Sequence, residues 1–350
     1  MPALELGLQV LEGQPTDRSV SLSPDELVTH GVVFGMTGSG KTGLCLGLLE
    51  ELALAGIPVL AIDLKGDLTN LKLVFPEQRA EDYRPWLDEQ AVRREGRSAE
   101  QAATELATAR RADLGDLARL RRWSESVEVT VYTPGSDEGT PVCLLGRLEP
   151  PGGDNAAARA DLVTGTVSGL LGLVGRSSDP LKDPEPILLA QILDAAWTAG
   201  ESLELATLIA RLVDPPFARV GVFPVDTFFP PDQRLALARE LNGVLASPAF
   251  SAWTRGVALD PARLTEPRGG RTPVSIFYLA HLSDSERMFF LSLLLERVVA
   301  WTRSLAGTSS LRALVYLDEV MGYLPPHPAN PPSKRPVMTL LKQARSVGVG

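Results

Sequence analysis

Gly35-Met36-Thr37-Gly38-Ser39-Gly40-Lys41-Thr42 sets glycines, a lysine and a hydroxyl at the spacing G-x-x-x-x-G-K-[ST]. That is chemistry for a polyphosphate. Glycines without Cβ atoms let backbone N–H groups converge on a phosphate, and the helix that follows adds the positive end of its dipole. The Lys41 ammonium reaches the β- and γ-phosphates, and the Thr42 hydroxyl is placed for Mg²⁺. The candidate nucleotide-binding residues are therefore Gly35, Thr37, Gly38, Ser39, Gly40, Lys41, Thr42 and Gly43. A metal held by one threonine needs a carboxylate as well. "ALVYLDE" supplies Asp318 at the end of an apolar strand, the Walker B arrangement, and Glu319 follows it. An acid at that second position orients and deprotonates water, whereas a phosphotransferase acting on a small substrate does not want such a base beside the γ-phosphate. Lys41 and Glu319 are the candidate catalytic residues, with Thr42 and Asp318 on the metal; a surface Asp-Glu pair is the plainer alternative for 318–319.

A second stretch, "AIDLKGDL" at residues 61–68, runs an apolar strand into Asp63 and then Lys65-Gly66. Hydrophobic-Asp-x-x-Gly is the form of a GTPase switch, which requires an [NT]-K-x-D partner motif to read guanine. The sequence contains none. Asp63 would also be redundant with Asp318 as the metal carboxylate. Two readings remain: Asp63 is a polar strand end with Gly66 in a turn, or Asp63 and Lys65 sit beside the phosphate loop. The second is preferred, because ligands of α/β sheets bind at the carboxyl edge.

These residues need elements to hold them. "HGVVFGMTGSGKTGLCLGLLEELALAG" reads as strand, loop and helix, with Val32–Phe34 a short buried strand and Leu44, Leu48 and Leu52 on one helical stripe. "PVLAID" is continuously apolar, which implies a strand covered on both faces in a parallel sheet. "VEVTVYTP", "PVSIFYLA" and "LRALVYLDE" read as further strands. Ser283 and Glu286 form a capping box at the start of a long apolar helix. Residues 77–125 are rich in Arg, Glu and Ala, an exposed helical excursion with i, i+4 ion pairs. A boundary is expected in "EPPGGDNAAARADLV", followed by helices over about 155–262 and Pro-Pro breaks at 215–216 and 230–231. "PPHPANPPSKRP" reads as a Pro-rich loop and "VMTLLKQAR" as a helix, and the final "SVGVG" as the start of another core strand, so that Gly350 is a segment end. The expected division is a short segment 1–30, the first half of the core at 31–145, a helical insertion at 146–265, and the second half at 266–350, cut before its last strand is complete.

The composition fits this. Of 350 residues, 44% are hydrophobic and 22% charged, enough for a globular core. A net charge of −9 argues against a nucleic-acid coat but leaves room for DNA contacts in one loop or pore. Cys45 and Cys143 suit a reduced cytoplasmic protein, and the three histidines show no zinc spacing. The N-terminus lacks a basic region followed by an apolar run. "MFFLSLLLERVVAW" is broken by Glu296 and Arg297 and is too short to span a bilayer, so no membrane segment is expected.

"THGVVFGMTGSGKT", "GIPVLAIDLKGDLTNL", "VSIFYLAHLSDSERMFFLSLLLERV" and "LVYLDEVMGYLP…LLKQARSVGVG" occur in that order and together resemble the HerA/FtsK superfamily of P-loop ATPases. Within it they resemble the HerA-like helicase branch, which similarly carries an Asp-x-Lys-Gly-Asp-Leu strand end. The resemblance covers roughly residues 20–75 and 270–350. It implies an α/β fold, a RecA-like (ASCE) P-loop core with a mostly parallel sheet, assembled as a hexameric ring with ATP and Mg²⁺ between subunits. It also implies that double-stranded DNA passes through the ring, often with a nuclease as partner. Arg345 matches a basic residue that acts as an arginine finger on a neighbouring subunit's γ-phosphate, a surface charge being its plain alternative. The residues before the loop are too few for the β-barrel typical of HerA, and the glutamine expected after "SVGVG" lies past Gly350. The expected function is a cytoplasmic ATP-hydrolysing motor that translocates DNA. The alternatives are a related ATPase powering conjugation or type IV-like secretion, which the acidic balance favours, and a nucleotide-gated scaffold that binds a partner protein.

Overall fold

Five of the apolar runs pair into one sheet. The computed structural model describes residues 2–144, 148–150, 156–176, 179, 181–325 and 331–350. The expected boundary near 151–155 and part of the Pro-rich loop, 326–330, lie outside the described residues. In chain order the longer elements are β1 (Leu4–Leu11), β2 (Gln14–Leu22), α1 (Lys41–Leu54), β3 (Val59–Asp63), α2 (Ala99–Leu114), α3 (Ala118–Ser126) and β4 (Val127–Tyr132). There follow α4 (Ala156–Leu173), α5 (Pro184–Thr198), α6 (Leu205–Val213), α7 (Pro231–Ala246), β5 (Thr272–Tyr278), α8 (Asp284–Ser304), β6 (Thr308–Leu317), α9 (Lys334–Gln343) and β7 (Val347–Val349). β1 and β2 form an antiparallel hairpin. The other five strands form one sheet in the order β7-β6-β3-β5-β4, parallel at every pairing. The fold is α/β with helices on both faces, consistent with a RecA-like core.

The sheet is buried from both sides because its strands are apolar at consecutive positions. Val59 and Ala61 of β3, with Val274 and Ile276 of β5, join Leu49, Leu52 and Ala53 of α1 in one apolar cluster. Leu60, Ile62 and Phe277 project to the other face and join α4 to α8 in a second, larger cluster. Phe277 and Phe290 meet there with ring centroids 5.4 Å apart. Two glycines let α4 close on α8. A Cβ at Gly169 would lie 2.8 Å from Phe289 Cδ2, and one at Gly165 would collide with Glu296 Cγ.

Two local expectations are corrected. The buried stripe of α1 is Cys45, Leu49, Leu52 and Ala53, while Leu44 is exposed. The buried face is therefore rotated from the leucine spacing. The segment before the phosphate loop is not a strand: Val32 and Phe34 are 72% and 88% exposed. The capping box forms as expected, with the Ser283 N–H donating to Glu286 Oε2 at 2.8 Å.

Beside the α4–α8 contact lies a partly buried charge cluster. Asp161 of α4 accepts from Arg335 of α9 at 2.6 Å and also pairs with Arg303 of α8. Glu296, 5% exposed, sits next to them. Burial, reinforced by the Asp161 charge and opposed by Arg335 and Arg303, pushes its carboxyl up to about 7 from an ordinary value of 4.5. With the folded-state value raised, Glu296 stabilises the fold fully below about pH 4.5. That contribution is lost as the pH rises to about 7, since the unfolded chain ionises first. Glu296→Gln keeps the neutral form at all pH values. We expect it to match the parent protein near pH 4 and to exceed it at pH 8 by about 1–3 kcal/mol in urea unfolding. A difference independent of pH would contradict the assignment.

Candidate functional site

Parallel strands deliver their carboxyl ends to one edge of the sheet, and β3 and β6 are neighbours there. Leu317 pairs with Ile62, and the Asp318 N–H donates to the Ile62 carbonyl at 3.1 Å. Asp63, Asp318 and Glu319 are thereby brought to the same edge. The Asp63 carboxylate is fully buried and turned back on its own chain. Its Oδ1 accepts from the N–H groups of Lys65 at 3.1 Å and Gly66 at 2.7 Å, and its Oδ2 from Leu68 at 3.0 Å. The Asp63 carbonyl accepts from the Leu279 N–H at 2.8 Å, tying the turn to β5 as well. Gly66 has φ +100°, and a Cβ there would press on Tyr278 at 3.2 Å, so this turn requires glycine. Asp63 thus builds the turn, and the turn presents Lys65. The Lys65 ammonium pairs with Glu319 Oε2 at 2.7 Å, a contact that raises the lysine's pKa first by hydrogen bonding and then by charge.

Glu319 has φ 57° and ψ 56°, a left-handed conformation that non-glycine residues seldom adopt. Such a backbone costs about 1–3 kcal/mol and persists where its surroundings enforce it, often at functional positions. Burial holds the Asp318 carboxyl above its ordinary range, and a hydrogen bond from Tyr316 works in the opposite direction. The Tyr316 hydroxyl donates to Asp318 Oδ1 at 3.3 Å. Burial, then the nearby Cys45 thiol of α1 and Asp318, push the pKa of this hydroxyl well up. Tyr316 therefore links the helix that follows the phosphate loop to the strand end that carries the acidic pair. The sequence reading missed it. The signal was present, because residues 316 and 318 lie two apart on a strand and share a face.

The phosphate loop is built as its spacing requires. Gly38 and Gly40 have φ of +79° and +86°, and a Cβ at Gly35 would collide with Ser39 Oγ. The Ser39 N–H donates to the Met36 carbonyl at 3.2 Å, and the Leu44 N–H to the Gly40 carbonyl at 3.0 Å, starting α1. Lys41 Nζ bridges the loop, donating to the carbonyls of Gly35 at 2.7 Å and Met36 at 2.6 Å. Thr37 is exposed in the loop, and Thr42 and Gly43 are exposed on the first turn of α1.

Arg345 lies elsewhere. It is exposed in a short 3-10 turn, Ala344–Ser346, just before β7. Val347 pairs with Thr308, so Arg345 sits with the amino ends of β6 and β7. Ten residues of strand separate that edge from Asp318, about 30 Å. Any role of Arg345 at a nucleotide would fall in another copy of the chain. A cleft of about 530 Å³ lined by Gly66, Thr69, Lys72, Glu138 and Tyr278 opens beside the turn, without loop residues or the 318–319 pair.

Replacing the Asp63 carboxylate by an amide leaves the buried Leu68 N–H facing an NH₂ group. Asp63→Asn should destabilise the protein by about 1–3 kcal/mol, measured by urea unfolding. Stability within about 0.5 kcal/mol of the parent would mean that the carboxylate does not organise the turn.

Among the described residues no helix is long and apolar enough to cross a membrane. No curated protein matches the chain. A family model described as "Helicase HerA-like C-terminal" matches residues 9–81, which hold the end of β1, β2, the phosphate loop, α1, β3 and the Asp63 turn. Over those residues the chain is similar to the HerA/FtsK-type family, and the parallel sheet is consistent with that likeness.

Proposed function

We propose that the chain is the ATP-hydrolysing core of a HerA-like ring motor that moves double-stranded DNA. The observation that carries this reading is the meeting of two features at one sheet edge. α1, which opens at the phosphate loop, brings the Cys45 thiol near enough to Tyr316 to shift its pKa, and Tyr316 bonds the Asp318 carboxylate. The residues fit a nucleoside triphosphate with Mg²⁺. The loop is shaped by Gly35, whose Cβ position is closed, and by the positive φ of Gly38 and Gly40, and the donors are an ammonium, a helix N-terminus and the Ser39 and Thr42 hydroxyls. Asp318 and Thr42 supply oxygen ligands of the kind Mg²⁺ takes. When bound, the metal neutralises charge on the phosphates.

In this reading Lys41 holds the terminal phosphates, and the amides of Gly38 to Thr42 cradle them. Glu319 orients a water molecule and accepts its proton on the carboxylate. Arg345 serves the site of a neighbouring copy in a hexameric ring, where its place at the opposite sheet edge makes it available to an adjacent subunit. Asp63 acts by shaping the turn. A nuclease is a suitable partner for such a motor. A secretion or conjugation motor would use the same site on a protein cargo and should instead co-purify with membrane proteins.

The test is ATP turnover with and without double-stranded DNA over a salt series. DNA should stimulate turnover, the stimulation should weaken as salt rises, and Glu319→Gln should lower turnover at least 100-fold while leaving nucleotide bound. Lys41→Ala should abolish nucleotide binding. Absence of stimulation at every salt concentration would exclude DNA as the cargo.

A further inference from the structure

The proposed base is already engaged. Glu319 Oε2 lies 2.7 Å from the Lys65 ammonium, which ties the carboxylate to the turn after β3. We propose that Lys65 is a positioning residue that latches Glu319, holding it out of use until a triphosphate competes for the same ammonium. The latch rests on the reading of Glu319 as the base.

Three observations support it. The turn that carries Lys65 is fixed by the buried Asp63 carboxylate through the N–H groups of Lys65, Gly66 and Leu68, so the lysine starts from a rigid platform. Glu319 sits in a left-handed backbone conformation immediately after the strand end, so a relaxation at this one residue would swing its carboxylate. The pair itself is exposed, at 56% and 51% of the two side chains, and exposed ion pairs are weak. A weak contact between rigid bases suits a reversible restraint better than a structural one. A triphosphate carries several negative charges against one on a carboxylate, so it competes well for an ammonium at the same edge. The step breaks no covalent bond: one ion pair is exchanged for another.

Two readouts on the full chain test the latch. The first is the rate at which carbodiimide and glycine ethyl ester modify the Glu319 carboxylate, read by mass spectrometry without nucleotide. Lys65→Met should raise that rate, and Lys65→Arg should keep it near the parent value. The second is ATP turnover without DNA. Lys65→Met should raise kcat about three- to tenfold, with a higher KM and a stimulation ratio by DNA that falls towards one. A structural role for Lys65 would not raise kcat. Unchanged labelling overturns the latch alone, and raised labelling with a kcat that is equal or lower overturns it too. No turnover in either protein, with labelling raised, overturns the hydrolase reading and the latch together.

Discussion

The Asp63 carboxylate at the end of β3 accepts hydrogen bonds from the backbone N–H groups of Lys65, Gly66 and Leu68 while its carbonyl is bonded by Leu279. A buried carboxylate without those donors would be costly, and charge-assisted hydrogen bonds to backbone N–H groups are among the stronger ones. The turn is therefore set by the strand end and not by its own exposed residues. Everything at the carboxyl edge follows from that: Gly66 passes under Tyr278, Lys65 points to the neighbouring strand, and Glu319 finds a partner.

Neighbouring strands make this economical. β3 and β6 are adjacent and parallel, so two strand ends separated by some 250 residues of sequence reach the same place. The sheet can hold them there because each face is covered. The α1 face carries the phosphate loop, and Tyr316 connects that helix to Asp318. The opposite face is packed by α4 to α8, with the Asp161, Arg303 and Arg335 cluster joining α4, α8 and α9. α9 leads directly into the turn that bears Arg345 and into β7, so the helical layer and the far edge of the sheet are mechanically continuous.

Much of this was legible in the sequence. "PVLAID" and "LRALVYLDE" announced buried parallel strands through the apolar runs Val59–Ile62 and Ala313–Leu317, which pair in parallel. The misses have physical causes. Helical periodicity in α1 pointed to Leu44, but leucines occur on several sides of that helix, so the pattern did not resolve which face is buried. Val32 to Phe34 are apolar enough for a strand, yet a strand needs an edge to pair with, which is a property of the sheet and not of the segment. Asp63 was expected beside the phosphate loop because it ends a strand at the carboxyl edge; it lies at that edge, and no local pattern showed that its oxygens would close the turn. Pairing of Lys65 with Glu319 depends on strand order, which no motif encodes.

The central claim is that Asp63, acting through the turn it closes, holds Lys65 against Glu319. The most direct measurement is the labelling rate of the Glu319 carboxylate in Asp63→Asn, Lys65→Met and the double variant. If the account is right, Asp63→Asn raises the rate as Lys65→Met does, and the double variant shows no further increase. A Glu319 that labels at the parent rate in Asp63→Asn, or effects that multiply in the double variant, would contradict it.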